Sequence, residues 1–68
     1  MPKFFTAREN ITDTEIRIDT EDAKHIRKVL RLSEGDVITV CDGRGLDYEA
    51  EIARFEDGAV ICVIKSSC

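Results

Sequence analysis

Three short turns built on glycine, Ser33-Glu34-Gly35-Asp36, Asp42-Gly43-Arg44-Gly45 and Glu56-Asp57-Gly58, divide the second half of the chain into β-prone runs. That punctuation limits the fold more than any other feature, because glycine supplies the positive φ that a tight reversal needs. The run Val37-Ile38-Thr39-Val40-Cys41 carries the strongest β propensity, and its lack of clean alternation predicts burial on both sides. After the four-residue connection Asp42 to Gly45, Leu46, Tyr48, Ala50 and Ile52 alternate with Asp47, Glu49 and Glu51. Such a period of two gives one core face and one wet face. The row of acids reads as a solvated face guarding a sheet edge, in preference to a metal or acid-base group. Phe55 precedes the last turn, and Ala59 to Lys65 forms a largely apolar final strand.

The first half adds two strands and one helix. Lys3-Phe4-Phe5-Thr6, if extended, sends its two aromatic rings to opposite faces. Glu15-Ile16-Arg17-Ile18-Asp19 alternates as a short half-buried strand. Asp19 or Thr20 can then cap a helix with Glu21 and Asp22 in its first turn, where acids complement the helix dipole. The spacing predicts this helix over about Glu21 to Val29 or Leu30. Ala23, Ile26, Val29 and Leu30 gather on one side and are expected to pack; Lys24, Arg27, Lys28 and Arg31 gather beside them. Strands at intervals of roughly 8–12 residues with one inserted helix predict a mainly β domain, a small antiparallel β-barrel spanning residues 1–68.

Charge is unevenly spread. The chain has ten Lys and Arg against fourteen Asp and Glu, a net charge of −4, yet no acid occurs from Ala23 to Ser33. A net negative chain does not attract phosphate at long range, so any nucleic-acid role must be local. A cationic helix face is usually plain solvated surface. Here the segregation of four cations from all acids favours a binding surface, because arginine forks grip phosphate and lysine adds point charge. His25, the only histidine, has no neighbouring nucleophile or paired acid in the sequence, which favours a structural or binding role over catalysis. Asp42-Gly43-Arg44-Gly45 lacks the further glycine and the Lys-Ser/Thr pair of phosphate-binding loops. A hairpin explains its glycines, and Arg44 at the tip is a candidate nucleic-acid contact.

The three cysteines form no C-x-x-C pair, so no metal site is expected. Cys41 and Cys62 fall within apolar strands and read as core thiols; Cys68 is terminal and open to intermolecular disulfides. No apolar run approaches the roughly 18–20 residues of a membrane span, and the amino terminus has no signal-peptide block. A cytoplasmic, membrane-free protein is expected.

The constellation His25-x-x-x-Val29-Leu30-Arg31-x-x-x-Gly35-Asp36, Asp42-Gly43-x-Gly45 and Tyr48-x-Ala50-x-Ile52, after Met1-Pro2-Lys3-Phe4-Phe5, closely resembles the amino-terminal domain of the RsmE family of 16S ribosomal RNA methyltransferases. That resemblance covers nearly the whole chain in order. It implies a PUA-like β-barrel that binds and positions small-subunit rRNA, with Lys3, Lys24, His25, Arg27, Lys28, Arg31 and Arg44 as the RNA-facing set. In that family a separate SPOUT domain binds S-adenosylmethionine, forms the homodimer and methylates a uridine at ring nitrogen 3. The present chain stops where that domain would begin, so the resemblance implies no cofactor, no catalytic residue and a monomeric state for this domain by itself. Lys3 stands where the family often has arginine. A second, shorter resemblance, Leu30-x-Leu32-x-x-Gly35-Asp36-x-Ile38-x-Val40, is to the AbrB type of swapped-hairpin DNA-binding domain. A barrel serving only structure or protein interaction is the third reading.

Overall fold

In the computed structural model, which describes residues 3–19 and 21–67, five strands form one curved sheet. The strands are β1 (Lys3–Phe5), β2 (Glu15–Ile18), β3 (Val37–Cys41), β4 (Asp47–Glu56) and β5 (Ala59–Ser67), in the order β1-β3-β4-β5-β2. The expected small β domain with one short helix is what forms. Three neighbouring pairs are antiparallel, while β1 runs parallel to β3, pairing Lys3 with Thr39 and Phe5 with Cys41. A parallel partner is reached only through a long crossover, and the segment holding β2 and the helix is that crossover.

Burial follows the alternation. Phe4 is 6% exposed and Phe5 63%, so the two rings do take opposite faces of β1. Ile16, Ile18, Ile26, Ile38 and Ile52 are fully buried and, with Val40, Val60 and Cys62, make the core. Each of these isoleucines and valines contributes roughly 1.5–3 kcal/mol relative to exposure. Cys41 and Cys62 are buried free thiols, as expected. The chain's end at Cys68 and the capping role of Thr20 lie outside the described residues.

Two expectations need correcting. β4 is an inner strand between β3 and β5, so Asp47, Glu49 and Glu51 guard no sheet edge. Two of them instead hold cations: Asp47 pairs with Lys3 at 3.5 Å and Glu51 with Lys65 at 3.5 Å. The second correction concerns the helix. Val29 is 66% exposed and Leu30 39%, so neither belongs to the packed face that Ala23 and Ile26 form.

The β4–β5 ladder also carries irregularities that periodicity does not show. Ile52 pairs with Cys62 but Arg54 pairs with Ile61, leaving Ala53 as an extra residue on β4. A bulge of this kind shifts the side-chain parity by one. Arg54 therefore faces solvent, and Phe55 returns to the core side, where it packs against the central cluster.

Candidate nucleic-acid interface

The helix α1 starts at Glu21 with an ordinary turn, Glu21–Lys24, and then widens over His25–Val29. The Leu30 N–H donates to the His25 carbonyl at 3.0 Å, five residues back instead of four. The extra residue in the turn rotates Val29 away from the line of Ala23 and Ile26, which explains its exposure. Turns of this width recur at functional sites. Arg31 closes the helix in the left-handed region, φ 54°, unusual for a residue with a Cβ. The next N–H, of Leu32, donates to the Ile26 carbonyl at 3.0 Å.

The far end of this segment is tied to the sheet. The Ser33 N–H donates to Asp36 Oδ2 at 2.8 Å, and the Asp36 N–H returns to the Ser33 carbonyl at 3.0 Å. Gly35, at φ +95°, donates to the Ile52 carbonyl, and the Ile52 N–H donates to the Asp36 carbonyl. The cationic segment is thus held by Ile26 in the core at one point and by β4 at the other.

Pairing with acids sorts the cations. Lys3, Arg17, Arg54 and Lys65 each have a carboxylate partner: Asp47, Asp19, Glu15 with Glu56, and Glu51. Asp47 raises the pKa of Lys3, chiefly by its charge, and the hydrogen bond that Asp47 accepts from the Cys41 thiol at 2.9 Å keeps Asp47 below the usual range. The same bond pushes the Cys41 thiol up, the opposite of what a nucleophilic cysteine needs. Among the described residues Lys24, Arg27, Lys28, Arg31 and Arg44 enter no ion pair with an acid. Arg27 has an aromatic partner instead, its guanidinium carbon 5.6 Å from the centre of the Phe55 ring. His25 is exposed, and among the described residues its ring makes no hydrogen bond.

Lys24, His25, Arg27, Lys28 and Arg31 accordingly share one short segment, all exposed. Lys3 and Arg44 do not join them. β3 and β4 pair from Val37 with Glu51 to Cys41 with Asp47; Arg31 precedes the first end of that ladder and Arg44 follows the second, while Lys3, paired with Thr39 at the middle, extends its side chain to Asp47 at the second end. Asp42 Oδ1 accepts from the Arg44 N–H at 2.7 Å, fixing the turn whose connection runs from Asp42 to Leu46. Phe5 lies over this turn, its Cε1 4.0 Å from where a Cβ on Gly43 would stand. Two residues escaped the sequence reading. Arg8 is another exposed cation without an acid partner among the described residues, and Phe55 is the seat of Arg27.

A shallow groove of about 200 Å³, lined among others by Glu15, Arg17, Arg54 and Glu56, is no second anion site, because its two arginines are already neutralised. Small-molecule sites are typically about 300–1,000 Å³, larger than this groove. No group of three or more His, Cys, Asp or Glu among the described residues could hold a metal. Among the described residues no helix is long and apolar enough to cross a membrane.

Comparison with known proteins bears on the same residues. The family model "RNA methyltransferase PUA domain" matches residues 18–65. Among solved structures, a predicted RNA methyltransferase from Thermotoga maritima superposes with a TM-score of 0.85 at 28% identity, covering 100% of this chain and 30% of its own. A ribosomal RNA small subunit methyltransferase E from Neisseria gonorrhoeae, bound to S-adenosyl methionine, gives 0.81 at 25% identity, covering 100% and 28%. A probable rRNA-methyltransferase from Porphyromonas gingivalis gives 0.83 at 26%, covering 100% and 27%. The present chain therefore spans less than a third of the length of these structures. No curated protein sequence gives a match. The model's span includes every residue of the AbrB-like run, which loses its independent support.

Proposed function

Because the chain belongs to the RNA methyltransferase PUA domain family, we propose that it is the RNA-gripping domain of an RsmE-type enzyme and positions small-subunit rRNA for methylation of a uridine at ring nitrogen 3. The observation that carries this reading is the sorting of cations. Four cations elsewhere are paired with carboxylates, whereas Lys24, Arg27, Lys28 and Arg31 stand together without one among the described residues. A charge already satisfied by a neighbouring acid gains little from phosphate; an unpaired arginine offers its whole fork.

On this reading methyl transfer, S-adenosylmethionine binding and dimer formation reside in the remaining length of the full enzyme, and this domain supplies affinity and register. Arg44 and Lys3, at the other end of the β3–β4 ladder, are the second contact point along a bound RNA. Lys3 is the weaker of the two, since Asp47 holds it. His25 serves as a hydrogen-bond partner at the rim of the cationic segment. The work belongs to ribosome biogenesis in the cytoplasm.

The test is a titration of the chain with unpaired segments of small-subunit rRNA at two salt concentrations, beside Arg27→Ala and Arg31→Ala. If about four phosphates of an unpaired strand are neutralised, log K falls with log salt at a slope near −3. Each substitution should weaken binding and make that slope shallower by about 0.7. Equal, salt-insensitive binding by all three proteins would refute the reading. Recovery of a protein partner with no RNA affinity would favour an interaction module instead.

A further inference from the structure

Arg27 differs from the other cations of its segment in having a fixed partner, and that partner is placed by an irregularity of the sheet. Without the extra residue Ala53, the alternation that buries Ala50 and Ile52 would turn Arg54 inward and Phe55 outward. With it, Arg54 points out and is held by Glu56 at 2.8 Å and Glu15 at 3.7 Å, while Phe55 packs partly against the core. The ring is only half-buried, and the Arg27 guanidinium sits over it at 5.6 Å. The wide turn from His25 to Val29 delivers Arg27 to that position while Ile26, its neighbour, stays fully buried.

We propose that Phe55 is the positioning residue for Arg27: its ring, turned inward by the bulge at Ala53, holds the guanidinium ready to grip RNA. The inference rests on the RNA-binding reading above and assigns one cation of that surface a preset geometry. Arginine has many rotamers, and a contact that requires it in one of them is weakened by the freedom lost on binding. An aromatic face restrains a guanidinium by a cation–π interaction without consuming its N–H donors. A carboxylate would restrain it too, but would occupy those donors and cancel its charge, as Glu56 does for Arg54. Phe55 therefore restrains Arg27 and leaves both its fork and its charge for phosphate, or its plane for an unpaired base.

The experiment measures binding of a labelled, unstructured oligouridylate by the whole chain and by Phe55→Leu, Phe55→Tyr, Arg27→Lys, Arg27→Ala and the double variant Phe55→Leu/Arg27→Ala, with a thermal melt for each. Leucine keeps apolar volume in the core and removes the π face. Phe55→Leu should weaken binding about two- to five-fold; Phe55→Tyr should match wild type; Arg27→Lys, which keeps charge but not the planar fork, should fall with Phe55→Leu. The double variant should bind no worse than Arg27→Ala alone, since the ring acts through Arg27. A loss of stability from altered packing would act on both backgrounds alike, so the cycle separates positioning from packing. If the two losses multiply, or Phe55→Tyr binds as poorly as Phe55→Leu, the positioning role is overturned while RNA binding stands. If wild type does not bind, both readings fall together.

Discussion

Cys62 has no exposed surface in β5 and faces the centre of the core. Burial alone pushes its thiol from the ordinary 9.0 up to about 11, because a thiolate there would lose its water. The consequence for stability has a definite sign. Between those two values the unfolded chain releases this proton and the folded chain keeps it, so the unfolded state binds fewer protons and stability falls as pH rises through the window. Two units correspond to about 2–3 kcal/mol. Denaturant unfolding of wild type and Cys62→Ala at pH 7, 9 and 11 should show wild type losing that much more than the variant between the upper two points. The variant will be less stable at pH 7 because of its cavity, so the comparison is of slopes. Identical slopes would mean that water reaches the thiol. Cys41, also buried, differs in kind: its proton is held chiefly by the hydrogen bond to Asp47. Both thiols were legible as strand residues from their apolar neighbours. The Lys3–Asp47–Cys41 contact was not, since it joins β1, β3 and β4 across the sheet and leaves no local pattern.

At the scale of elements, α1 shows where periodicity stops carrying information. Its start, with Glu21 and Asp22 ahead of buried Ala23 and Ile26, follows from the sequence. Its last turn does not, because a hydrogen bond from Leu30 to His25 instead of Ile26 is decided by how the helix must end to reach Gly35 and Ile52. Arg31 at φ 54° belongs to the same constraint. Left-handed backbone at such a residue costs on the order of 1–3 kcal/mol and persists where its surroundings impose it. The widened turn separates two residues that the sequence placed on one face. Ile26→Ala should destabilise by about 2–5 kcal/mol, the cost of a large core truncation. Val29→Ala should stay within about 0.5 kcal/mol, as for a surface site. Thermal or urea midpoints of the two variants decide this; a comparable loss at both positions would restore the regular helix, with Val29 packed. The bulge at Ala53 is the strand counterpart. The run from Leu46 to Ile52 alternates cleanly, and nothing in it announces that the parity changes just before Phe55.

For the whole molecule the open question is what joins the two edges of the sheet. In the order β1-β3-β4-β5-β2, β1 and β2 are the outer strands, separated by three others. Curvature brings them together, and Thr6 is where they meet. Its N–H donates to the Cys41 carbonyl at 3.1 Å, extending the β1–β3 pairing by one residue, while its hydroxyl donates to the Arg17 carbonyl of β2 at 3.2 Å. Thr6 is the buried polar residue among those described, and Asn10 Nδ2 approaches its oxygen at 3.5 Å. A buried hydroxyl costs stability unless it is hydrogen-bonded, so its presence in an otherwise apolar interior marks the closure point. The sequence could place β1 and β2 as strands but not as neighbours, because that contact depends on the order of all five. Thr6→Val keeps the shape and β-branching and removes the donor. It should cost about 1–2 kcal/mol by leaving the Arg17 carbonyl without that partner. The loss should be local as well as global: amide exchange should quicken across Lys3–Phe5, which has only β3 as a ladder partner, before it changes in β4 and β5. Unchanged stability together with unchanged protection of β1 would assign closure to apolar packing around Phe4 instead. Because β1 carries Lys3 and Phe5 to the Arg44 turn, Thr6→Val should also weaken the proposed RNA contact at that end of the sheet while leaving the Lys24–Arg31 segment, anchored separately through Ile26 and Ile52, intact.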